Sequence, residues 1–321
     1  MIEQASGRLT ARPFTRLALA GAAVGLLLAL PACSSSSKST TSGATTTVAA
    51  AGGGTSGGSA TNCEAAAKIP DKIKSAGTMA AATDASYAPM EFIGTSGSNI
   101  EGADIDLGNA IAKQLGLTWK WQNVKFDSII AGIGTRYDVS MSSFSVTAER
   151  EKQVCMVTYL TAGTSFMVQT GKNQNLTTLE ALCGKSVAVE TGTTQQTDAE
   201  AQSTKCKNGG KSAVNVLGFP DQNAANLALT SGRADVGMAD SPVAAYAAKQ
   251  SGGRIEVIGA SYGNAPYGIL LPNTSEFAGI ASSVLNALKA IDSNGTYKQI
   301  LQKWGLQAGA ITNFAINPAS S

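Results

Sequence analysis

The chain has no histidine among its 321 residues. That absence removes histidine-based catalytic triads, most zinc enzymes and the usual proton shuttle near neutral pH. Charge is also sparse: 14% of residues are charged, the formal net charge is +2, and no long basic run appears. A near-neutral balance of this kind argues against nucleic acid as a partner. Beyond the N-terminal region, no hydrophobic stretch reaches the roughly 20 residues that cross a bilayer.

What is present begins with a targeting pattern. Arg8, Arg12 and Arg16 precede the apolar run Leu17 to Leu30, which is short for a transmembrane span. Leu30-Pro-Ala-Cys33 follows and resembles a bacterial lipobox, in which Cys33 becomes the lipidated first residue of the mature protein. Pro31 is a less usual residue there, and a plain secretory signal cleaved nearby is the alternative. Both readings place the protein outside the cytoplasm, and the first adds a lipid anchor at the cell membrane. Residues 1–32 then form the signal peptide, and residues 33–62 a Ser/Thr/Gly/Ala tether that cannot bury a core. A flexible tether of that length has an end-to-end distance of roughly 30 Å.

With Cys33 lipidated, four cysteines remain: Cys63, Cys155, Cys183 and Cys206. Outside the cytoplasm an even set suggests disulfides, and four cysteines allow three pairings. Cys183 and Cys206 flank one compact βα segment, which favours that pair. Cys63 with Cys155 follows by elimination, and buried free thiols are the alternative.

The folded region begins near Cys63. Glu64 to Ala76 reads as a helix and Thr78 to Thr83 as the first strand, with Asp84 at its end and Tyr87 just beyond. Asp106 to Leu115 is amphipathic, with Leu107, Ala110, Ile111 and Leu115 on one face. Leu117, Trp119 and Trp121 alternate as a strand, and Phe126 opens a helix. Val139 and Met141 mark a short buried strand, followed by Ser142, Ser143 and Ser145, and Thr147 opens a helix carrying Arg150 in its first turn. The second half repeats the alternation. It has strands at Ser165–Gln169, Ser186–Val189, Val214–Phe219, Ala234–Ala239, Ile255–Gly259 and Tyr267–Leu271. Helices are expected at Leu176–Leu182, after Gln195, from Asp221 to Ser231, from Ser241, over Ser275–Ser293 and over Thr296–Trp304. This is an α/β chain with a largely parallel sheet.

Some sites stand out physically. In open α/β sheets, ligands sit at strand ends. Arg150 offers a planar fork that matches a carboxylate, against the plain alternative of a solvated helix face. Glu190-Thr-Gly-Thr-Thr-Gln195 places free N–H groups at a helix start, a ready anion site. It lacks the lysine and glycine spacing of a nucleotide P-loop, so NTPase activity is rejected. Asp240 is either a helix cap before Ser241-Pro242 or a ligand for a cation.

In order and spacing, Tyr137 to Arg150, Glu190 to Gln195 and Gly232-Arg-Ala-Asp-Val-Gly-Met-Ala-Asp240 resemble the solute-binding protein family 3. So do Thr83-Asp-Ala-Ser-Tyr-Ala-Pro-Met-Glu91, Asp106-Leu107 and Gly295-Thr-Tyr with Lys303-Trp304. The family comprises extracytoplasmic amino-acid receptors of ABC importers, and the resemblance spans Thr78 to Gly305. It implies a periplasmic-binding-protein-like fold, two α/β lobes joined by a two-strand hinge that close on ligand. Lobe 1 would be residues 63–163 plus 268–321 and lobe 2 residues 164–267, with crossings near Gly163 and Tyr267. Carried over, Arg150 clamps the ligand carboxylate with the N–H groups of Ser145 and Thr194. Asp240 and Ser143 hold its ammonium, Tyr87 and Phe126 sandwich the side chain, and Asp84 and Glu190 face its far end. Two carboxylates with no carried-over cation rank basic amino acids first, polar neutral ones second and acidic ones last. The resemblance implies no cofactor and no metal, and its partners would be a small amino acid and an ABC permease, the protein acting as a monomer. Ala103, Cys155-Met-Val-Thr158 and Asn273 depart from the usual pattern at positions that look structural. On the same fold, a dehydratase-like enzyme and a sensor ectodomain are the alternatives. Glu190 is the one candidate acid for the former, and the latter needs a membrane span after the domain.

Overall fold

The computed structural model describes residues 60–319. The signal peptide, Cys33 and almost all of the tether lie outside the described residues.

The chain enters through two short helices, α1 (Ala60–Cys63) and α2 (Asp71–Ala76). The single helix expected over Glu64–Ala76 does not form. Pro70 is extended at ψ 139° and sits at the N-cap, and proline disfavours helical backbone in the residue before it. Gly77, at φ 64°, ends α2 in the left-handed region and donates its N–H to the Ile73 carbonyl.

Strand β1 (Thr78–Thr83) falls where expected. A small antiparallel sheet of β2 (Ser86–Tyr87), β3 (Glu91–Ile93) and β4 (Ile100–Glu101) follows. Next come α3 (Ala103–Gln114), β5 (Thr118–Asn123), α4 (Phe126–Gly132), β6 (Val139–Ser140) and the four-residue α5 (Ala148–Glu151). The Thr147 hydroxyl accepts the Arg150 N–H and caps α5.

Two long strands organise the rest: β7 (Val154–Gln169) and β11 (Ile255–Pro272). Between them lie β8 (Ser186–Glu190), α6 (Thr194–Asn208), β9 (Asn215–Phe219), α7 (Gln222–Thr230), β10 (Val236–Asp240) and α8 (Ser241–Gln250). After them come α9 (Ile280–Ser293) and α10 (Thr296–Trp304). The expected helix over Leu176–Leu182 shrinks to a 3-10 turn at Leu179–Leu182. The one over Ser275–Ser293 is divided at Gly279, which is left-handed at φ 88° and approaches the Ala66 carbonyl too closely for a side chain.

The sheet order is β5-β1-β6-β11-β7-β10-β8-β9. The pairs of β1 with β5 and β6, and of β8 with β9 and β10, are parallel, whereas the pairs that involve β7 and β11 are antiparallel. Residues 154–162 of β7 pair with 265–272 of β11 beside β6, and 164–169 pair with 255–262 beside β10. The two strands therefore run through both halves of a two-lobed α/β body. Their register shifts between Ile258 and Gly268. Gly163 faces this irregular stretch, where a side chain would come within 2.7 Å of the Tyr262 carbonyl.

One core cluster fills the first half and runs on into the second at Met167 and Val243, and another lies within the second half. Leu107, Ile111, Trp119, Val157, Ile269, Val284 and Leu288 belong to one. Phe166, Leu182, Val187, Val189, Val236 and Met238 belong to the other. Cys63 bonds to Cys155 and Cys183 to Cys206, the pairing expected, with Cα separations of 5.4 and 5.6 Å.

Candidate functional site

The C-terminal ends of β1, β6, β8 and β10 converge on one space between the two halves. Asp84, Tyr87, Phe126, Ser143, Ser145, Arg150, Glu190, Thr194 and Asp240 all line it. Glu91, Ser142, Thr193 and Gln195 complete the wall.

Arg150 is held by two carbonyls. It donates to Ser145 at 2.8 Å and to Gly192, in the β8–α6 turn, at 3.1 Å. Its guanidinium lies 5.1 Å from the Phe144 ring centre and 5.6 Å from that of Phe126. Burial lowers its pKa to about 10, with Asp240 and Tyr87 opposing the shift, so the group stays charged at neutral pH. The turn it reaches is tight for a reason. Gly192 is left-handed at φ 84°, and a side chain there would meet Asp127 of α4 at 3.0 Å. Thr193 caps α6 by accepting the Gln196 N–H, which leaves Thr194 and Gln195 as the first helical residues, with N–H groups that no turn of helix precedes.

Asp240 is not a side-chain cap. It occupies the N-cap position of α8 without a capping hydrogen bond. Instead it accepts from Gln195 Nε2 and from the Tyr267 hydroxyl, each at 2.7 Å. Its own N–H donates to the Tyr87 hydroxyl at 3.0 Å. Burial raises its pKa; the hydrogen bonds from Tyr267, Tyr87 and Gln195 and the charge of Arg150 oppose that shift. The Asp240 side chain makes no cap to α8, and the residue lines the cleft.

A second electrostatic grouping contains Asp84 and Glu190. Asp84 accepts the Phe126 N–H at 3.0 Å and donates its own N–H to the Ser142 hydroxyl at 2.9 Å. Burial raises its pKa. Glu190 is 2% exposed, and its Oε1 has no hydrogen-bond partner. Burial pushes its carboxyl up to about 9, with further upward pressure from Asp84 and Asp221 and partial relief from Lys125. Lys125 and Asp221 form an ion pair of 2.8 Å beside them.

The nine residues singled out in the sequence line one cleft, and two of them have neighbours that the sequence did not show. Phe126 stacks on Phe144, with ring centres 4.2 Å apart, so one of its faces is already covered. Ser143 is turned toward acids, its N–H donating to Asp104 at 3.0 Å. Phe144, Gln195, Tyr267 and the Lys125–Asp221 pair were missed. Gln195 ends a run already singled out as an anion site. Lys125 and Asp221 lie 96 residues apart, and no local signal joins them.

Comparison with known proteins decides the family. The model of the bacterial extracellular solute-binding proteins, family 3, matches residues 79–307. The chain belongs to that family. This solute-binding protein is 33% identical over 257 residues to the arginine-binding protein ArgT of Corynebacterium glutamicum, a match covering 79% of this chain and 83% of the relative. Structures of an ancestral arginine-binding protein, bound to arginine or to glutamine, superpose with TM-scores of 0.65 at 32% and 31% identity. Each covers 71% of this chain and 97–98% of the ancestral one. An ancestral amino acid-binding protein described as a precursor of cyclohexadienyl dehydratase also matches, with TM-score 0.65, 32% identity and coverage of 73% and 98%.

Proposed function

We propose that this solute-binding protein captures a basic amino acid, arginine foremost, between its two halves and delivers it to the permease of an ABC importer. The observation that carries the reading is the buried Glu190 carboxyl, whose Oε1 has no hydrogen-bond partner, beside Asp84. A guanidinium or ammonium placed there draws Glu190 into its ionised form and gains charge-assisted hydrogen bonds, whereas a ligand carboxylate would hold Glu190 protonated and meet repulsion from Asp84. Arg150 takes the ligand carboxylate with the Ser145 and Thr194 N–H groups, and Asp240 takes its ammonium. Tyr87 and the free face of Phe126 cover the aliphatic stem. Relatives named for arginine support this order, and the ancestral protein also bound to glutamine supports polar neutral ligands as second choice.

Closure about β7 and β11 gives the capture step, with lobe 1 at residues 63–163 and 268–321 and lobe 2 at 164–267. The lipobox-like Leu30-Pro-Ala-Cys33 supports a lipid tether to the outer face of the cell membrane, and the protein would act there as a monomer. Calorimetry with arginine, glutamine and glutamate tests the ligand: tight glutamate binding without an arginine signal refutes the ranking. A carrier returns its ligand unchanged. Incubation with arginine and with a prephenate-like acid, followed by mass analysis, distinguishes it from a dehydratase that uses Glu190 as an acid.

A further inference from the structure

Two carboxyl groups are left unused by the binding scheme, Glu91 in the cleft wall and Asp104 outside the lining. Glu91 of β3 and Asp104 of α3 are both fully buried, and no ion pair among the described residues includes either. Asp104 Oδ2 accepts from the Tyr159 hydroxyl at 2.7 Å and from the Ser143 N–H at 3.0 Å. Asp104 Oδ1 meets no N–H or hydroxyl. Glu91 Oε1 accepts from the Ser142 hydroxyl at 3.1 Å, and its Oε2 lies 3.4 Å from the Ser143 hydroxyl. Ser143 has a left-handed backbone, φ 51°, in a residue other than glycine. A backbone of that kind persists only where its surroundings over-determine it, and here the acids supply the hydrogen bonds on both sides of it.

We propose that Glu91 and Asp104 share one proton and act as a positioning pair, holding Ser142 and Ser143 in the conformation that shapes the cleft wall beside the ligand ammonium. A proton on Glu91 is the hydrogen that Asp104 Oδ1 lacks. Two buried carboxylates in contact cannot both ionise without strong repulsion. The other titratable groups that face Glu91 are Asp84 at the end of β1 and Tyr159 on β7; no cation is among them. Burial first and Asp104 second push the Glu91 carboxyl well above its ordinary range, and Asp104, raised to about 6, carries the charge near neutral pH. Loss of the shared proton at alkaline pH sets two like charges against each other and frees Ser143 to move.

The inference rests on the reading that arginine binds in this cleft. The test compares arginine affinity by calorimetry, pH 6 to 10, in the wild-type chain and in Glu91→Gln, Glu91→Leu and Asp104→Asn. Gln keeps the shape and donates N–H to Asp104; Leu keeps the volume without a donor. Glu91→Leu and Asp104→Asn should each weaken binding tenfold or more across the range, while Glu91→Gln recovers most of the loss. At alkaline pH the wild-type affinity should fall below that of Glu91→Gln. Glu190 and the ligand ammonium titrate alike in both proteins, so the difference between the curves isolates the pair. Identical curves, or a Leu variant that binds like the wild type, overturn the proposal. If arginine fails to bind at all, the functional reading fails separately, and carbon-13 shifts of the two carboxyls decide: one shared proton at pH 7 upholds the pair, and two ionised groups overturn it.

Discussion

Arginine binding should tighten as the pH rises and should expel a proton, and Glu190 is the reason. With its carboxyl pushed up to about 9 by burial, Glu190 is protonated at pH 7 by about a hundred to one. A guanidinium beside it favours the ionised form. Removing that proton at pH 7 costs about 2.7 kcal/mol, two units at 1.36 kcal/mol each. The cost shrinks to nothing near pH 9, so the dissociation constant should fall about tenfold per unit on the way there. Glutamine carries the same α-groups without the cation, so the ratio of arginine to glutamine affinity reports the carboxyls at the far end of the cleft, and Glu190→Gln separates Glu190 from Asp84. Calorimetry from pH 6 to 8.5, in buffers of different ionisation enthalpy, measures both the ratio and the proton count. A flat ratio with no buffer-dependent heat would refute the argument. Stability should move the other way. The folded chain holds at Glu190 a proton that the unfolded chain releases above its ordinary value of 4.5. The penalty therefore grows as the pH rises from about 4.5 to about 9. Glu190→Gln should raise the melting temperature of the ligand-free protein at pH 8, leave it unchanged at pH 4, and weaken arginine 10- to 100-fold while sparing glutamine.

Arg150→Ala should cost about 3–5 kcal/mol of binding, two to three decades or more, because it leaves a buried carboxylate unpaired; unchanged affinity by calorimetry would remove Arg150 from the site. Asp240→Asn should weaken the same ligand at its ammonium, with release rates from stopped-flow rising accordingly. Replacing Cys183 and Cys206 together by Ala opens a loop of sequence separation 23 and should destabilise by about 3 kcal/mol, lowering the melting point by roughly 6–12 °C; an equal midpoint in the oxidised wild type would count against it. Cys33→Ala should release the protein into the medium, and retention of that variant on membranes would sink the lipid anchor.

The residues most legible in the sequence were those whose signals are local. Strand β1 is a short run of small residues that ends at an acid, and Thr147 announces its helix by its own hydroxyl. Asp240 was ambiguous because the N-cap position and the cleft share one address in the chain; only the positions of Gln195 and Tyr267 separate them. The first half of β7 was not legible. It is buried on both faces from Val154 to Leu160, so it lacks the alternation that marks a half-exposed strand. The Glu91–Asp104 pair was equally hidden. Glu91 ends a run that reads well by itself, Asp104 carries no local signal, and the fold alone brings Ser143 and Tyr159 against Asp104 from 39 and 55 residues away.

The bond between Cys63 and Cys155 also sets a mechanical path. It ties the start of the folded body to the N-terminal end of a central strand, enclosing a loop of sequence separation 92 that contains β1 through α5. Tension applied from the N-terminal side reaches β7 through sulfur, bypassing α2 and β1. The enclosed elements cannot be peeled away one after another from that direction, as a strand is unzipped from a sheet. Such a pull loads β7 directly against its partners, β11 along most of its length and residues 315–317 beside Cys155. In a force-spectroscopy trace from the N-terminus, oxidised protein should resist until those pairings give way and then lengthen without the contour of the enclosed loop. Reduced protein should yield earlier and further.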